Sequence, residues 1–528
     1  MLADALSIND LANGHVLKRV LPMICDKILD SSFCIEEYRE MVGLAAVSHR
    51  WHELLQPYFY RTVIAQRIEV KNKSKPWAKS LLKRKKRKAG PRFRWQSNVE
   101  NVIAAGKSHR TREIRIVQRT SGTMVTLEDV LRGLGFDAGD WSGVTTIRFI
   151  GAFTQYEPFS DKDTQSACGY FLKTFPNVTE LDCTQAHCAK DPADSFLASL
   201  TRWYIPQLHT IYIDSFLPSS PLDHYPEHVT RVLIKRSLYP YNMNVHQFLA
   251  SALKYLYIDH IQDHFNWERF LGADEESTEF TNLEELVLKF SYWDQPPIIS
   301  SPLIRKMRFP SLKRLTISRS FYAISELYPH FIASPLQSLC IREEMDKLRP
   351  FDTAIIRSVT ELDVTVVKNT ARVPDGWGTV FADLLGTVST VKKARLTGTP
   401  FIFPEHIHWL YLEQLTIIPE TIAWSSVVKV ISELPLLLYL EVRCIDMEDS
   451  VPDLFSLTQS RLVRLDTRLQ MVSLGMNGVW STADRHNLKV LAMCVPSLIK
   501  LCVSARYVNE FETFASQFGQ SFSVAPIT

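Results

Sequence analysis

The chain has 528 residues, 46% hydrophobic and 22% charged, with a formal net charge of +3. No stretch approaches the roughly 18 uncharged apolar residues that a membrane span needs, and the overall charge is too small for a uniformly basic nucleic-acid binder. Twelve Lys or Arg and no Asp or Glu lie between Lys71 and Arg94, so the rest of the chain carries about −9 and the basic character is local.

Residues Met1 to Val20 hold Asp4 and Asp10 and no continuous apolar core, so no secretory signal is expected. Leu21-Pro22 then opens a helix, with proline near the first position, where a missing N–H costs nothing. Ile24, Ile28 and Leu29 give it an apolar face at helical spacing. A second helix is expected from Ile35 to His49, with Tyr38, Met41, Val42, Ala45 and Ala46 inward, and a short third one holds Trp51, Leu54 and Leu55 before Pro57. Tyr58 to Val63, rich in aromatic and β-branched residues, reads as a strand.

Leu21-Pro22, Ile28-Leu29, the phrase Leu44-Ala45-Ala46-Val47-Ser48-His49-Arg50-Trp51-His52, and Leu55 followed by Pro57-Tyr58-Phe59-Tyr60-Arg61 together resemble the F-box of fungal F-box proteins. The resemblance covers about the first 65 residues. It departs at Ile24, where an acidic residue is usual, and in the long Ser31–Glu40 connection. It implies docking onto a Skp-type adaptor, and through it a cullin, with Leu21, Pro22, Ile24, Ile28, Leu29, Val47 and Trp51 facing the adaptor. A helical piece of about 45 residues is marginal alone, so leftover apolar surface needs a partner. The competing reading is that these helices only cap a repeat array.

Lys83-Arg84-Lys85-Lys86-Arg87-Lys88 lies in a basic tract that also holds Trp77, Phe93 and Trp95. Like charges at this density repel, so the tract is expected to form an insertion between the first strand and the next helix, residues 66–110 comprising the basic insertion and that linking helix. Three uses compete: an importin-read nuclear signal, contact with nucleic acid or another anion, and a solvated loop.

Residues 111–528 carry a recurring phrase of an apolar residue, two variable ones, an apolar, one variable and an apolar. It stands at Val178/Leu181/Cys183, Leu208/Ile211/Ile213, Val229/Val232/Ile234, Leu253/Leu256/Ile258, Leu283/Leu286/Leu288 and Leu312/Leu315/Ile317. It returns at Leu336/Leu339/Ile341, Val359/Leu362/Val364, Val391/Ala394/Leu396, Leu412/Leu415/Ile417, Leu437/Leu440/Val442 and Leu498/Leu501/Val503, with weaker units at Ile114/Ile116 and Val144/Ile147/Phe149. The spacing is near the roughly 20–29 residues of a leucine-rich repeat. The expected fold is α/β: a leucine-rich-repeat solenoid, a parallel-sheet horseshoe with convex helices such as Ser195–Trp203 and Val245–Leu253, preceded by the small helical module. Proline in Phe175-Pro176 and Phe309-Pro310 is expected to end each helix and turn the chain into its strand. Phe511, Phe514 and Phe518 suggest a closing helix.

Variable residues of the strands face away from the core, which places Tyr212, Asp214, Lys235, Tyr257, Asp259, Lys289, Arg342, Arg395, Glu441 and Arg443 on the concave face. Mixed charge with tyrosines suits a protein partner, whereas a nucleic-acid groove would be dominated by Lys and Arg. Met471 to Trp480, in the long interval after Asp466, resembles an exposed loop, as do acidic Asp274–Glu279 and Ser291–Ser301.

Nine scattered cysteines, several on apolar repeat positions, read as buried thiols in a reducing compartment. Cys183, His187 and Cys188, the pair His260 and His264, and His406 with His408 lack a full ligand set, so no metal or cofactor is expected. No phosphate loop or nucleophile elbow is present. The resulting expectation is a non-enzymatic, cytoplasmic or nuclear substrate-recognition subunit of a Skp–cullin–F-box ubiquitin ligase, binding a protein of unknown identity. The alternatives are a repeat scaffold unrelated to ubiquitin and a nuclear protein tethered to nucleic acid through the basic run.

Overall fold

A computed structural model of the chain describes residues 59–70, 92–118, 131–153, 169–188, 207–214, 228–235, 252–261, 279–290, 308–318, 331, 333–344, 356, 358–367, 389–398, 406–418, 422–446, 468–476, 480–517 and 521–527. The adaptor-facing positions expected at Leu21 to Trp51, the basic block Lys83–Lys88, the convex segment Ser195–Trp203, most of Val245–Leu253, and Asp466 lie outside the described residues. The chain divides into two compact units, residues 1–235 with 242–248, and residues 236–241 with 249–528.

In the first unit the strands are β1 (Thr62–Val70), β2 (Arg92–Ser97), β3 (Glu113–Gln118), β4 (Thr146–Phe153), β5 (Glu180–Cys188), β6 (Thr210–Asp214) and β7 (Arg231–Lys235). From β1 through β3 to β7, each strand pairs in parallel with the next. β2 pairs antiparallel with β1, from Ala65↔Ser97 to Val70↔Arg92. The first strand therefore begins at Thr62, later than the expected Tyr58, and Phe93 and Trp95 belong to β2. Strand neighbours on both sides of β1 carry its pairing well past the aromatic run. Residues 71–91, with most of the basic tract, join the two ends of this antiparallel pair.

In the second unit β8 (Tyr255–Ile261), β9 (Glu285–Phe290), β10 (Arg314–Ser318), β11 (Ser338–Glu344), β12 (Glu361–Val367), β13 (Lys393–Thr397) and β14 (Gln414–Ile418) follow in the same parallel manner. Next come the two-residue β15 (Ile422–Ala423), β16 (Tyr439–Asp446), β17 (Met471–Met476), β18 (Lys500–Val503) and β19 (Ser523–Pro526). β16 pairs with both β14 and β15, and the parallel order continues to β19. Helices with both ends described are few: α1 (Val99–Ala104), α2 (Trp424–Glu433), α3 (Thr482–Cys494) and α4 (Val508–Gln517). Each unit is thus a mostly parallel sheet with few helices among the described residues, compatible with a solenoid-like α/β repeat.

The apolar phrase is the reason. Wherever its three positions are described, they are buried, as at Leu312/Leu315/Ile317 and Leu412/Leu415/Ile417. Each such side chain taken out of water contributes about 1.5–3 kcal/mol. The phrase also extends three residues upstream. A buried apolar residue there accepts a backbone hydrogen bond from the first apolar position: Trp141 from Val144, Phe280 from Leu283, Phe309 from Leu312, Ile356 from Val359, Trp409 from Leu412, Leu434 from Leu437 and Val495 from Leu498, at 3.0–3.3 Å. Proline at the second position of this turn (Pro310, Pro435, Pro496) has the backbone angle that a β-turn wants there. Proline here shapes the turn into the strand. Phe280, Phe309 and Phe331 pack ring to ring at 5.3 Å, an aromatic spine through successive repeats.

A second rule sets the register. The carbonyl just before each strand accepts two N–H groups from the next repeat, as Lys254 does from Glu284 and Glu285, Glu284 from Lys313 and Arg314, and Thr360 from Lys392 and Lys393. These bonds recur along both units and lock neighbouring strands in step.

The end of the chain corrects two expectations. Met471–Met476 is a strand, not a loop, and Leu469, Val472 and Leu474 are a further buried copy of the phrase. Trp480 is buried and stacks on Tyr507 at 4.7 Å. The expected closing helix is α4, with Phe511 and Phe514 buried, but β19 follows it and adds a strand to β18. Phe518 lies outside the described residues. Helix α3 begins with a reciprocal cap: Ser481 Oγ accepts from Asp484 N at 3.1 Å, and Asp484 Oδ2 from Ser481 N at 2.6 Å.

Gly143 lies where a turn touches the preceding repeat. A Cβ there would meet the His109 carbonyl oxygen at 2.1 Å and that of Thr111 at 2.8 Å, and neither backbone atom can swing aside. Gly143→Ala is expected to cost about 1–3 kcal/mol through overpacking, read as an earlier midpoint in chemical denaturation. An unchanged midpoint would show that the turn relaxes freely.

Candidate protein-binding face

Side chains of a strand alternate between faces, so burying the second and fourth residues of each five-residue strand turns the first, third and fifth to the other face. Every expected concave-face residue stands at such a position. Tyr212 and Asp214 are on β6 and Lys235 on β7, with Asp214↔Lys235 in register. In the second unit Tyr257 and Asp259 are on β8, Lys289 on β9, Arg342 on β11, Arg395 on β13, and Glu441 and Arg443 on β16. Within the second unit these positions share a face by alternation.

Three local groups stand out. On β8 and β9, Tyr257 Oη donates to Asp259 Oδ2 at 3.0 Å, and the Lys289 ammonium lies 4.9 Å from the centre of the Tyr257 ring. On β16, Tyr439 Oη donates to Glu441 Oε2 at 3.0 Å, while Arg443 Nε donates to Glu441 Oε1 at 2.8 Å. Burial first, and then the Glu441 charge and hydrogen bond, push the Tyr439 phenol up to about 12. A phenol raised in the folded state stabilises it fully below the unfolded value of about 10 and loses that contribution as pH rises to about 12. Tyr439→Phe is therefore expected to lose stability less steeply between about pH 10 and pH 12 than the parent chain. Parallel slopes in denaturant titrations over that range would contradict it.

The third group is in the first unit and was missed by sequence reasoning. Arg115 Nε donates to Glu113 Oε1 at 2.9 Å on β3, and Arg148 Nε on β4 lies 3.0 Å from the same oxygen and 3.2 Å from Asp182 Oδ2 on β5. The Arg115 side chain is 0% exposed. Here the face away from the repeat core is itself buried, for Ile64 beside Arg115 is also fully covered. The signal was present in Glu113-Ile114-Arg115-Ile116 and Thr146-Ile147-Arg148-Phe149, whose alternation puts charges of adjacent repeats side by side.

Cross-strand ion pairs line the start of the strands in the second unit, including Arg314–Glu285 at 2.8 Å and Lys393–Glu361 at 3.1 Å. Such exposed pairs contribute about 0–1 kcal/mol each and help set register more than stability. Among the described residues no cluster of His, Cys, Asp or Glu could hold a metal ion, and no helix is long and apolar enough to cross a membrane. His406 and His408 are exposed, and the side chains of Cys183, His187, Cys188 and His260, with His264, lie outside the described set.

No protein-family model matches the chain, and no curated protein does either. The polar outer face of the repeated strands offers backbone-rigid, mixed-charge surface with tyrosines, which can hold a protein segment by hydrogen bonds and ion pairs.

Proposed function

We propose that this chain is the substrate-recognition subunit of a Skp–cullin–F-box ubiquitin ligase, with an F-box-like helical module ahead of a leucine-rich-repeat horseshoe. The observation that supports the binding half of this reading is the rigid outer face of the repeats. It displays Tyr257, Lys289, Arg342, Arg395 and Glu441 from strands fixed in step by paired backbone bonds. The ligase half rests on the resemblance of residues 21–61 to the F-box, with Leu21, Pro22, Ile24, Ile28, Leu29, Val47 and Trp51 meeting the adaptor.

On this reading the chain performs no bond chemistry. It holds a partner protein so that the partner's lysines meet a charged conjugating enzyme, and the rate gain comes from proximity. The Lys83–Lys88 block serves nuclear import. Replacing those six residues by glutamine is expected to shift a fluorescent fusion from nucleus to cytoplasm; an unchanged distribution would remove the import role. Co-purification with the Skp-type adaptor of the same organism tests the ligase reading directly. Failure of the unaltered chain to capture it would leave a repeat scaffold unrelated to ubiquitin.

A further inference from the structure

We draw no further inference here: the strongest candidate, the apolar surface patch at the turn into β14 where Leu410 and Tyr411 stand exposed between buried Trp409 and Leu412, carries none, because nothing in the structure shows what covers it.

Discussion

The Leu21→Ala/Pro22→Ala chain is expected to capture no Skp-type adaptor under conditions in which the unaltered chain co-purifies with it in equal amounts. Residues at the centre of a protein interface cost about 2 kcal/mol or more when truncated, so two together lower affinity by about a thousandfold. Trp51→Ala is expected to act similarly, since a buried tryptophan is the commonest kind of anchor at such a centre. The control is the repeat region itself, whose denaturation midpoint should not move, because these positions precede the first described strand. Folded variants that capture as much adaptor as the parent would show that residues 21–51 dock elsewhere or only cap the array. Capture of adaptor with no effect of changes in the repeats on partner binding would instead relocate the recognition surface.

The second large effect concerns stability. Glu113→Ala is expected to destabilise the first unit by about 3–5 kcal/mol, because it removes a carboxylate that meets both Arg115 and Arg148. Arg115 is fully buried, and its charge cannot turn to water without opening the sheet. Glu113→Gln keeps an acceptor at the same place but drops the charge, so a smaller loss is expected. The pair change Glu113→Leu/Arg115→Leu should be milder than Glu113→Ala alone, since an apolar replacement of a buried pair leaves no charge stranded. Guanidinium denaturation of the three variants measures this. A loss below about 1 kcal/mol for Glu113→Ala would mean that other groups already satisfy both arginines.

The repeats were legible because the phrase is written in apolar residues at fixed spacing, and burial of that phrase needs nothing beyond a neighbour with the same phrase. The copy at Leu469/Val472/Leu474 has the same spacing, but Met471, Ser473 and the following Gly475 are uncharged and give no sign of an exposed face, so the segment reads as a loop. Trp480 likewise reads as exposed, and only its packing on Tyr507 and Phe511, residues 27 and 31 positions later, puts it in the core.

By itself the sequence determined the mostly parallel repetition of strands, which residues turn inward, and which strand positions alternate to the opposite face, because each follows from local alternation and a short period. The tertiary structure decided what the side chains at those positions do. Register sets Glu113 on β3 beside Arg148 on β4, and Arg148 beside Asp182 on β5. Those contacts depend on which strands become neighbours and on what covers them: alternation gives each charge its face, and only packing makes that face buried at Arg115.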